Sequence, residues 1–96
     1  MDQEVTDASI ASRRGDGAVW TRINEEIYVL DSTNGRYVGL SPTAAFVWEA
    51  LDEPQPVGAL VARATADFDG DAETMRRDVL ALLSKLSGLG LIDITP

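Results

Sequence analysis

The chain has 96 residues, 45% hydrophobic and 25% charged, with sixteen acids against eight bases and a formal net charge of −8. That length holds one hydrophobic core, and the lack of cysteine and histidine excludes a disulfide framework, thiolate chemistry and the commonest general base and transition-metal ligand. No apolar run approaches the ~20 residues of a membrane span, the acidic start is no secretory signal, and no segment is basic enough to hold phosphates; a cytoplasmic protein without membrane or nucleic-acid partners is expected.

Residues 1–17 are polar and lack apolar periodicity, which predicts a flexible N-terminal arm ahead of a folded domain over residues 18–96. Val19 to Ile23 reads as a first strand, Asn24-Glu25 as a turn and Glu26 to Leu30 as a second strand. Asp31 to Gly35 forms a hairpin loop ending in Asn34-Gly35, a pair that tolerates positive φ, and Arg36 to Leu40 is the third strand. Ser41 then caps a helix with Pro42 in its first turn, where a missing N–H costs nothing, and Ala44, Val47, Trp48 and Leu51 make its apolar stripe. Pro54 and Pro56 stop it. Val57, Leu60, Val61, Ala64 and Phe68 mark a second helix. Asp71 caps a third, whose stripe is Met75, Val79, Leu82, Leu83 and Leu86. Gly88 is expected in the left-handed position that ends this helix, with Leu89 to Ile94 returning as a short strand or packed tail. The aspartates around Gly70 fail as an EF-hand loop, because the sixth and twelfth positions counted from Asp67 hold Ala72 and Asp78 instead of glycine and glutamate. The expected fold is α+β and winged helix-turn-helix-like, a three-stranded antiparallel N-terminal sheet followed by three α-helices.

The run Gly35-Arg36-Tyr37-Val38-Gly39-Leu40-Ser41-Pro42, continuing through Phe46, Trp48 and Leu51, resembles the PqqD-like family. There a strand of glycine, a basic and an aromatic residue and then leucine leads into a helix with tryptophan followed by leucine. The likeness continues at Asp78-Val79, Leu82-Leu83, Leu86 and Gly90-Leu91 and covers roughly residues 19–92, nearly the whole chain. It implies a stand-alone, non-catalytic recognition element without cofactors. Such a module binds the leader of a ribosomally made precursor peptide and passes it to a maturation enzyme or leader peptidase, as in pyrroloquinoline quinone or lasso-peptide assembly.

Within the third strand, Val38 and Leu40 share one face and Tyr37 and Gly39 the other, with Leu40 expected in the core. Gly39 either marks close approach of a second backbone or merely eases the turn into the helix. A strand at a sheet edge offers free N–H and C=O groups to an extended peptide. The resemblance implies that the leader pairs there, beside the last helix. The candidate contacts are Arg36, Tyr37, Val38, Gly39 and Leu40 on the strand, and Met75, Arg76, Val79, Leu80 and Leu83 on the helix. Arg76 and Leu80 form the exposed shoulder in this reading, and Met75 lines the groove or enters the core. The alternative is a winged-helix DNA-binding regulator using Arg76, Arg77 and Lys85, which Asp71, Glu73 and Asp78 on the same helix oppose.

Overall fold

The computed structural model describes residues 5–13, 19–31, 34–68 and 70–95. The elements in chain order are β1 (Ile10–Arg13), β2 (Val19–Ile23), β3 (Glu26–Asp31), β4 (Arg36–Leu40), α1 (Pro42–Ala50), β5 (Gln55–Pro56), α2 (Val57–Asp67), α3 (Ala72–Gly88) and β6 (Ile92–Thr95). Asn24 adopts φ 60° between β2 and β3, and Gly35 adopts φ 66° between β3 and β4. The resulting antiparallel sheet has the order β2-β3-β4. Its register pairs Ile27 with Leu40, Val29 with Val38 and Asp31 with Arg36. Ile27, Val29, Val38 and Leu40 therefore bury one face against the helices, while Val19, Ile23 and Tyr37 stay exposed. The buried Asp31 carboxylate fixes the turn by accepting bonds from the Asn34 backbone N–H at 3.3 Å and its side-chain Nδ2 at 2.6 Å.

The helices follow their sequence signals. Ser41 accepts a bond from the Ala44 N–H and Pro42 opens α1; Asp71 accepts from the Thr74 N–H at the start of α3. Trp48, Val47, Leu51, Leu60, Val79, Leu83 and Leu86 are fully enclosed and join the sheet residues in one core. The left-handed residue after α3 is Gly90, at φ 76°, two residues later than expected, because Gly88 still belongs to the helix.

The expectation of a flexible arm over residues 1–17 is corrected at residues 10–13. They form β1, the central strand of a second sheet of order β5-β1-β6. Ala11 is fully buried and pairs with Ile94, a partner distant in sequence. The remainder of the expected arm that is described, residues 5–9, also makes specific contacts. The N-cap of α2 is Pro56, which has no capping side chain, so the first N–H groups of the helix need acceptors from elsewhere. The carbonyls of Ser9 and Asp7 supply them, accepting from Val57 at 2.9 Å and Gly58 at 3.0 Å. Arg13 then lies over the rings of both Trp20 and Trp48 and donates to Asp52 at 2.7 Å. Residues 1–4 and 14–17 of that expected arm lie outside the described residues. No helix among the described residues is long and apolar enough to cross a membrane.

Candidate functional site

β4 lies at the edge of its sheet, and among the described residues it pairs only with β3. Among the described residues its other edge carries backbone groups without a ladder partner, the condition for adding a strand. α3 is the neighbouring wall. A cavity of about 280 Å³ is lined by Arg36, Tyr37, Val38 and Gly39 of β4 with Lys85 and Leu89 at the end of α3. A second, of about 410 Å³, continues from Lys85 along Leu82, Ala81 and Asp78 to Ser41 and Thr43 at the start of α1. Meeting at Lys85, they form a trough along α3, walled by β4 at its Leu89 end and by the start of α1 at its Asp78 end. At 1.5 Å per residue, Asp78 to Leu89 covers about 16 Å of helix axis. Arg36 to Leu40 spans about 14 Å of strand, and its first four residues border the smaller cavity.

The structure brings together one half of the predicted site. Arg36, Tyr37, Val38 and Gly39 all line the trough; Leu40 is 3% exposed and belongs to the core. On α3 only Val79 of the predicted residues borders it, and Val79 is itself buried. Met75 and Leu83 are core residues. Arg76 and Leu80 stand on the opposite shoulder from the trough. At 100° per residue they lie about 160° around the helix from Asp78, whereas Asp78, Leu82, Lys85 and Leu89 fall within about 60° of one another. Arg76 instead pairs at 3.0 Å with Asp7 of the N-terminal segment. The stripe Asp78-Leu82-Lys85-Leu89, at i, i+4, i+7 and i+11, was visible in the sequence. Choosing between two shoulders of one apolar stripe required knowing on which side β4 packs.

Gly39 has a local explanation. It faces Tyr28 across the strand pair, and a Cβ built at position 39 would stand 3.3 Å from the Tyr28 ring. The ring covers the glycine while its hydroxyl donates to Glu26 at 3.0 Å. This bond to the carboxylate, followed by the repulsion of its charge and then by desolvation, raises the Tyr28 pKa above the ordinary value of 10.0. The site holds no group of three or more acidic residues able to grip a metal ion among the described residues.

Comparison with known proteins agrees with this architecture. TbiB1, solved in complex with the TbiA(beta) leader peptide, superposes with a TM-score of 0.69 at 24% identity, over 95% of each chain. A lasso peptide synthetase B1 complexed with the leader peptide gives a TM-score of 0.72 at 20% identity, over 86% of this chain and 96% of that one. At these identities the likeness is one of fold. No curated protein matches. The family model for coenzyme PQQ synthesis protein D (PqqD) matches residues 26–92, from β3 to the start of β6, and the chain belongs to that family.

Proposed function

We propose that this member of the PqqD family binds the leader segment of a ribosomally made precursor peptide and presents it, without catalysis of its own, to a maturation enzyme or leader peptidase in the cytoplasm. The observation that carries the reading is the open edge of β4 above a trough walled by α3. The leader adds to that edge as a fourth strand. Backbone pairing supplies sequence-tolerant affinity, and the side chains that fall into the trough supply selectivity. The two solved proteins of similar fold hold leader peptides, which supports the same class of ligand here. The β2-β3-β4 sheet with α1 to α3 is read as winged helix-turn-helix-like, yet the helix a DNA reader would use carries Asp71, Glu73 and Asp78, and Arg76 is engaged by Asp7. Phosphate neutralisation needs the opposite charge balance from the −8 of this chain.

The test is fluorescence anisotropy of labelled leader peptides of ribosomally made precursors from the same organism, titrated with wild type, Leu82→Glu and Arg76→Glu, with a duplex-DNA probe alongside. Placing a charge on the apolar wall forfeits the burial of a leucine-sized contact, about 1.5–3 kcal/mol. Leu82→Glu is therefore expected to weaken binding about tenfold or more, and Arg76→Glu, on the far shoulder, to leave it within about twofold. Saturable binding equally insensitive to both would move the site; absence of leader binding would overturn the function.

A further inference from the structure

We infer that the trough selects a carboxylate side chain of the bound peptide, held at its Leu89 end by Lys85 with Arg36 opposite, two residues from an apolar side chain seated on Leu82. The inference rests on the docking of a peptide strand along β4 and names the chemistry that docking reads.

Acids outnumber bases two to one in this chain, and most described basic side chains are engaged. Arg13 pairs with Asp52, Arg22 with Glu49, Arg36 with Asp31 and Arg76 with Asp7, while Arg63 lies over the Phe46 ring. Lys85 and Arg77 have no such partner among the described residues. Of these two only Lys85 borders the trough, and it lines both of its cavities. Arg36, across the smaller cavity, is tied to Asp31 at 4.0 Å with its side chain 64% exposed, which leaves its guanidinium within reach of an incoming group. Two cations therefore flank one end of a groove in a protein of net charge −8. Lys85 also sits in the last turn of α3, where a cation complements the helix dipole. That role accounts for its charge but not for a cation facing it across the cavity.

Asp78 closes the opposite end, about 10 Å further along the helix axis from Lys85. It disfavours a second carboxylate there and gives the trough a polarity. Side chains of an extended peptide alternate between faces, so those in register with Arg36, Val38 and Leu40 fall toward α3 and recur every second residue. A carboxylate at the Lys85 end thus stands two residues from the side chain on Leu82. The intervening residue faces outward, toward Tyr37 and the ring of Tyr28 beside Gly39.

The experiment is selection of phage displaying random peptides on wild type, on Lys85→Glu and on Leu82→Glu, followed by sequencing of the recovered pools. An exposed ion pair contributes at most about fivefold per encounter. Wild type is expected to enrich Asp or Glu two residues from an apolar position about three- to fivefold over the starting library. Lys85→Glu should exchange that preference for Lys or Arg at the same spacing, a switch that loss of folding cannot produce. Equal composition at that position in the wild-type and Lys85→Glu pools overturns the charge assignment; if Leu82→Glu meanwhile abolishes recovery, peptide docking itself stands. Pools recovered unchanged on Leu82→Glu overturn the docking reading and the charge assignment with it.

Discussion

Gly39 sits on an edge strand of the main sheet and makes room for the ring of Tyr28. Its φ is ordinary, so the constraint at this position is contact and not backbone strain. A glycine inside a strand weakens it, and an aromatic ring laid across it from the neighbouring strand restores packing. Gly39→Val is expected to push the exposed ring off position 39 and away from Glu26. The raised Tyr28 pKa offers a direct readout. In a Tyr37→Phe background the remaining tyrosine titrates alone, and its midpoint is expected to fall back toward about 10 in both Gly39→Val and Glu26→Gln. A neutral phenol favoured by the folded state contributes stability that is complete below the unfolded pKa near 10 and is lost as pH rises through the raised folded value. Unfolding followed across that range should show wild type losing more stability than Glu26→Gln. An unaltered tyrosinate titration in Gly39→Val would mean that the ring does not depend on the glycine.

The N-terminal segment is the element whose importance local patterns hide. Residues 5–13 cap α2 with the carbonyls of Ser9 and Asp7, fill the centre of the second sheet and stack Arg13 on two tryptophans. Orphaning two helix-terminal donors costs about 1–3 kcal/mol each where water cannot replace the acceptor. Losing a cation over an aromatic ring costs about 0.5–1 kcal/mol more. Against a total of roughly 5–15 kcal/mol for a domain of this size, deletion of residues 1–13 is expected to abolish a cooperative thermal transition. A truncated chain melting within a few degrees of full length would refute the role. The contrast with the rest of the fold is instructive. Asn34-Gly35, Ser41-Pro42 and Asp71 act within a few residues of themselves, so the hairpin and the helix starts are legible in order. β1 offers only Ile10 and Ala11 as apolar residues, and its partners Ile92 and Ile94 lie at the far end of the chain, so no window of sequence contains the pair. The site divides the same way. The edge strand was readable from its alternation, whereas the α3 wall was not, because a helix with one buried stripe has two shoulders and only the path of β4 selects between them.

Across the whole molecule, a long-range field and a local contact act with opposite signs on the same ligand. The net charge of −8 repels an anionic peptide as it approaches, yet the Lys85 end of the trough attracts its carboxylate once docked. The two differ in reach. The Debye length shrinks from about 30 Å at 0.01 M salt to about 8 Å at 0.15 M, so moderate salt removes most of the approach barrier while an ion pair in contact is screened far less. Association steered by the global field shows in the on-rate, and contacts made after docking show in the off-rate. For an acidic peptide carrying the preferred spacing, stopped-flow association should therefore accelerate severalfold between about 0.01 and 0.15 M salt, with dissociation changing by less than about twofold. Lys85→Gln should raise the off-rate about three- to fivefold at either salt and leave the sense of the on-rate response unchanged. An on-rate that falls with salt would mean that the cations of the trough govern the approach as well as the contact, and that the acidic remainder of the surface does not project across it.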